Sequence, residues 1–132
     1  MDKYMAAAKK ALTLTLPLAP SINHASITTK NYGKIWSEES KAWMSAAGAI
    51  AKAAAREQGW QYGKNEKLIL ELWAFWPDKR RRDIHNLHKI IADAMEGVLY
   101  EDDKMVLVRD MDFCVDRGNP RMELRVRRAE DV

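Results

Sequence analysis

A chain of 132 residues with 47% hydrophobic content fits one domain with a real core, though a dimer would help a domain of this size. Its 22 basic and 19 acidic residues leave a net charge of +3, so total charge by itself does not indicate a nucleic-acid partner. Cys114 is the only cysteine, which excludes an intrachain disulfide and a multi-cysteine zinc site, and the chain reads as cytoplasmic.

Residues 1–10 read as a leader. Lys9 and Lys10 precede an apolar segment that loosely resembles a signal peptide. Against that, Leu12, Leu14 and Leu16 alternate with Thr13 and Thr15, the period of a half-buried strand. A strand is therefore predicted over about 11–18, stopping at Pro17 and Pro20. No other apolar run approaches a membrane span. Ser21 to Lys34 reads as a polar loop, whose Asn23, His24, Lys30, Asn31 and Lys34 are candidates for phosphate contact but more ordinary as plain surface.

Ser37 to Gln58 is predicted as a helix. Ser37 can cap it, Glu38 and Glu39 suit the positive end of its dipole, and Gly59 is a C-terminal stop. The small-residue run Ala46 to Ala55 permits close packing against a sheet or helix. Lys67 to Trp76 is a predicted strand ended by Pro77, and Ile84 to Val98 a second helix. Met105 to Phe113 and Arg121 to Arg127 are two further strands, expected to form a hairpin around Gly118-Asn119-Pro120. The order β-α-β-α-β-β predicts an α+β (mixed α/β) single domain over residues 11–128, with a tail at 129–132 and two helices packed on a small mixed sheet.

The stretch Pro77 to Lys89 carries the chemistry. Lys79, Arg80, Arg81 and Arg82 form an unbroken basic run directly before Asp83, at the start of the second helix. Asp83 suits a helix cap, and it also suits a metal ligand; the two roles can coexist. At about 100° per residue, Ile84, Leu87, Ile90, Ile91, Ala94, Met95 and Val98 form one apolar stripe. His85, Lys89, Asp93 and Glu96 lie opposite, with Lys89 and Asp93 spaced as an i,i+4 pair. After the helix comes Glu101-Asp102-Asp103. If that loop folds back beside Asp83, the carboxylates can share a divalent cation, and Mg²⁺ needs few protein ligands because it keeps several waters. Acids embedded among bases oppose phosphate unless a metal lies between, and that combination suits phosphodiester cleavage. Asp110 and Asp112, two apart on a strand, should share a face and could supply a missing carboxylate if the strand runs past Asp83. Arg125, Arg127 and Arg128 form a second basic cluster of the kind usually found on solvated faces.

The run Pro-Asp-Lys-Arg-Arg-Arg-Asp-Ile-His-Asn-Leu-His-Lys from Pro77, with the later Asp-Ala-Met and Leu-Tyr-Glu-Asp-Asp, resembles the RusA family of crossover (Holliday) junction endodeoxyribonucleases, common in prophages. Pro17-Leu-Ala-Pro20-Ser-Ile-Asn23 and Arg121 to Arg125 fit the same pattern, and the likeness runs from about Leu12 to Val126. The resemblance implies a homodimer that acts on branched DNA, resolving four-way junctions by paired symmetric nicks with Mg²⁺ or Mn²⁺ in recombination and repair. It implies Asp83 and Asp103 as metal-binding catalytic aspartates, Lys89 as the catalytic lysine and Arg82 as a DNA contact. Beside these, the chain's own pattern makes Asp102 a further metal candidate and Lys79, Arg80, Arg81 and Asn86 further DNA-binding candidates. The chain departs at His85, where the family has a second aspartate. His85 is then a metal ligand, a proton carrier, or the mark of a weakened site. The alternative is a non-catalytic module that binds structured DNA with a decayed metal site.

Overall fold

The computed structural model describes residues 11–20, 26–29 and 33–129. The leader and Asn23, His24, Lys30 and Asn31 lie outside the described residues. Strand β1 is Leu12–Leu16, with the three leucines buried and the two threonines exposed, as the alternation requires. The segment expected as a loop instead contains a hairpin, β2 (Ser26–Thr29) paired antiparallel with β3 (Gly33–Trp36). Each strand is only four residues long, Ser-Ile-Thr-Thr and Gly-Lys-Ile-Trp, too short to show an apolar alternation.

Helix α1 is Glu38–Gln58, capped by Ser37, whose side chain accepts from the Ser40 N–H, and closed by Gly59 at φ 68°. Strand β4 is Leu68–Trp76. Asp83 caps a 3₁₀ turn, Ile84–Leu87, that runs into α2, His88–Met95. Here the second helix is shorter than its apolar stripe predicts. Glu96 is extended and Gly97 sits at φ 80°, a left-handed turn that reverses the chain before Val98. A second 3₁₀ turn, Asp103–Met105, leads into β5 (Val106–Val115), and β6 is Arg121–Arg128.

The main sheet has the order β1-β6-β4-β5. β6 pairs antiparallel with both β1 and β4, whereas β5 pairs parallel with β4. The expected β5–β6 hairpin is therefore not formed: β4 lies between the two strands, and their connection crosses its end, where Asp116 N–H donates to the Trp76 carbonyl at 2.8 Å. β4 is apolar nearly throughout, which suits a central strand buried on both sides better than an edge.

One sheet face carries the core. Leu12, Leu14, Leu16, Leu68, Leu70, Leu72, Met122, Leu124 and Val126 meet Trp43, Ala47 and Ala51 of α1 and Ile90, Ile91, Ala94 and Met95 of α2. The small residues of α1 allow this approach; a Cβ at Gly48 would sit 4.0 Å from the Ala94 carbonyl oxygen. Trp43 and Trp60 donate their indole N–H groups to the carbonyls of Pro17 and Leu99, so each aromatic is buried without an orphaned donor. The Gln58 amide both donates to and accepts from the Thr13 backbone, which blunts the free edge of β1.

Candidate functional site

The basic loop follows the C-terminal end of β4. In open sheets with parallel strands this end is where ligands commonly bind. Asp78 organises the loop: its carboxylate accepts from the Arg80 backbone N–H at 2.9 Å and from Arg82 Nη1 at 2.7 Å. The Arg82 hydrogen bond, reinforced by the Arg80 N–H, holds the Asp78 carboxyl down at about 2. Arg82 also donates to the carbonyls of Asp78 and Arg80 and lies 5.3 Å from the Trp76 ring centroid. It therefore braces the loop, whereas Lys79, Arg80 and Arg81 are left exposed.

Asp83 accepts the His85 N–H at 2.9 Å, the expected cap. His85, Asn86 and Lys89 are exposed on the same end of the helix. Lys89 Nζ lies 3.5 Å from Asp93, the i,i+4 pair expected, and Asp93 also accepts from the Trp36 indole at 3.2 Å. That bond docks the β2–β3 hairpin on α2.

The acids flanking the second helix do not meet within one chain. Asp103 lies with Glu96 and Asp102, their ligand oxygens within 4.8 Å of one another, at the far end of α2. Asp102 caps the 3₁₀ turn by accepting the Lys104 N–H at 3.0 Å, and Asp103 N–H points to Glu96 at 3.4 Å. From Asp83 to Glu96 the helical segment rises roughly 20 Å at ordinary helical spacings. The reason is the parallel pairing. β5 must start level with the start of β4, as Leu68 opposite Val106 records, so Asp103 stands at one end of the sheet and Asp83 at the other. The shared Asp83–Asp103 cation expected from the sequence is not supported by this geometry.

What the fold does bring to the start of the helix is Asp110. The β5 strand runs beneath it, and His88 Nε2 lies 2.6 Å from Asp110 Oδ1. His85, His88 and Asp110 together place one ligand atom each within 4.8 Å of the others. Asp112 does not join them. The register shifts between Leu72, opposite Asp110, and Trp73, opposite Asp112, so the bulge at Met111 turns the two aspartates to opposite faces, contrary to the alternation expected. His88 was not among the sequence candidates; its signal was its spacing of three from His85 on a helix start. The Arg125 and Arg127 side chains are committed to Glu71, and Arg128 to Glu66, with Arg128 stacked 4.5 Å from the Trp60 centroid. The Arg125 hydrogen bond outweighs burial and holds the Glu71 carboxyl below its usual value. Arg125 and Arg127 are therefore built into the back of the sheet, whereas Arg128, on the face of Met122, Leu124 and Val126, covers Trp60 at the edge of the core.

An α+β domain whose crossover helix opens on an exposed basic loop, and carries potential cation ligands at both ends, has the make-up of a DNA-processing enzyme. Residues 17–127 match the family model described as endodeoxyribonuclease RusA, and the chain belongs to that family. No curated protein sequence matches it. Membership implies nuclease action on Holliday junctions. No described helix is long and apolar enough to cross a membrane.

Proposed function

We propose that this chain is a metal-dependent endonuclease that resolves four-way DNA junctions by paired symmetric nicks, acting as a homodimer. The observation that carries the reading is the exposed Lys79–Arg81 run set directly before Asp83 in a RusA-family chain. Lys79, Arg80 and Arg81, with Asn86 on the following turn, would hold phosphates flanking the cut, since cationic contacts supply most sequence-independent DNA affinity. Lys89 is 78% exposed and tethered only at 3.5 Å, so it can swing to a phosphate and offset charge developing there. A two-fold dimer matches the two-fold symmetry of a junction cut twice.

The donor sets fit divalent cations of two kinds. Glu96, Asp102 and Asp103 offer oxygen only, which suits Mg²⁺; Asp83, two residues before His85 in the chain, would add a carboxylate beside an imidazole, a mixed pair that suits Mn²⁺. Bound there, Mg²⁺ or Mn²⁺ would supply Lewis-acid stabilisation of charge on the attacked phosphate and a more acidic water. A second reading, a junction-binding module without catalysis, is favoured by two observations: the aspartate that the family has two residues after Asp83 is His85, and Asp103 stands at the opposite end of the helix.

A synthetic mobile four-way junction incubated with the protein and Mg²⁺ or Mn²⁺ decides between them. Symmetric nicks in opposite strands are expected. Tight binding with no nicks under either ion would leave the binding module as the function.

A further inference from the structure

We propose that His85, His88 and Asp110 form a three-ligand site for a borderline transition ion of the Mn²⁺, Co²⁺ or Zn²⁺ class, distinct from the carboxylate group at the other end of α2. Three observations converge on it. His85 and His88 are three apart across a 3₁₀ turn, where side chains at i and i+3 eclipse, and their ring centroids lie 4.3 Å apart. Asp110 follows Val106 and Val108 on the helix-bearing face of β5, which points its carboxylate at His88. All three ligand atoms lie within 4.8 Å of one another.

A simple ion pair between His88 and Asp110 accounts for two of these residues but not for His85, drawn ring to ring with His88. Two imidazoles and one carboxylate are the ligands that first-row transition ions prefer and that Mg²⁺ does not. Ligand atoms on a tetrahedral ion bound at about 2.1 Å stand roughly 3.4 Å apart, so the 2.6 Å His88–Asp110 separation opens by less than about 1 Å on loading. Three protein ligands leave positions open for water or a phosphate oxygen, and the Asp83 cap and the basic loop are adjacent in the chain. The ion's use in DNA cleavage rests on the nuclease reading; its binding does not.

The test titrates chelator-treated full-length protein with Co²⁺, reading visible absorption and the histidine ring signals by NMR, and reads thermal unfolding with and without the ion. The wild type is expected to develop ligand-field bands, broaden the His85 and His88 signals and unfold at a higher temperature with Co²⁺. His85→Ala, His88→Ala and Asp110→Asn should each weaken Co²⁺ binding at least tenfold, and about a hundredfold excess of Mg²⁺ should not displace it. His85 is exposed, so its variant tests the site even if His88→Ala fails to fold. Unchanged Co²⁺ affinity in His85→Ala, or displacement by Mg²⁺, overturns the site. Junction nicking followed in parallel separates the two readings. Co²⁺ held by the histidines without nicking sinks only the nuclease. Nicking that persists in His85→Ala with unaltered Co²⁺ binding sinks only the site.

Discussion

Asp78 Oδ1 and Arg82 Nη1 lie 2.7 Å apart, and this pair ties the basic loop back over Trp76 at the end of β4. Two of the four cations in the run are thereby distinguished in kind: Arg82 shapes the loop that presents Arg80. Asp78→Ala should free Arg82 and loosen the loop. Limited trypsin cleavage at Arg80 and Arg81 should accelerate, and junction affinity should fall severalfold. The carboxyl is held at about 2, below its ordinary 3.8, so the constraint is fully present above that ordinary value. It should weaken as pH falls from there through about 2, read from the trypsin-sensitive region by amide exchange.

Arg80→Ala and Arg81→Ala should lower affinity for every DNA sequence alike. Each should reduce the slope of log K against log salt by about 1 if it removes one phosphate contact. Fluorescence anisotropy over a salt series measures this. A slope unchanged in both variants would place the DNA elsewhere.

Asp83→Asn separates the cap from the chemistry. Asparagine caps a helix about as well as aspartate, so stability should hold within about 0.5 kcal/mol. Junction nicking should nonetheless fall at least about 100-fold while binding persists or tightens, because a negative charge beside phosphate is gone. Normal nicking by this variant would remove Asp83 from the active site.

Glu71→Gln should destabilise the sheet. Glu71 is almost wholly buried and partners both Arg125 and Arg127. Breaking a fully buried pair costs about 3–5 kcal/mol; because Arg125 is 45% exposed, about 1–2 kcal/mol is expected here. The native carboxyl titrates below its ordinary 4.5, so in the window just below that value the unfolded chain binds more protons. This stabilisation is complete above pH 4.5 and lost as pH falls, so urea midpoints of wild type and variant should converge in acid.

Gly97→Ala places a Cβ at φ 80°, and the cost should be about 1 kcal/mol although the space around it is open. Thermal unfolding measures it, and the loss should not depend on metal.

Much of this protein was legible along the chain. The leucine–threonine alternation of β1, the Ser37 cap and Gly59 stop of α1, the Asp83 cap and the basic run each depend on residues a few positions apart. Local spacing determines which face is apolar and where a helix begins, and the likeness of Pro77 to Asp103 to the RusA pattern is of the same local kind. The β2–β3 hairpin was not legible, because strands of four residues are too short to show a period. Only the tertiary structure decided which strands lie side by side. Pairing joins residues far apart in the chain, and nothing in the period of β5 distinguishes a hairpin with β6 from a parallel match with β4. That choice sends Asp103 to one end of the crossover helix and leaves Asp83 at the other. Along β5 a single bulged residue decided the rest, holding Asp110 toward His88 while turning Asp112 away.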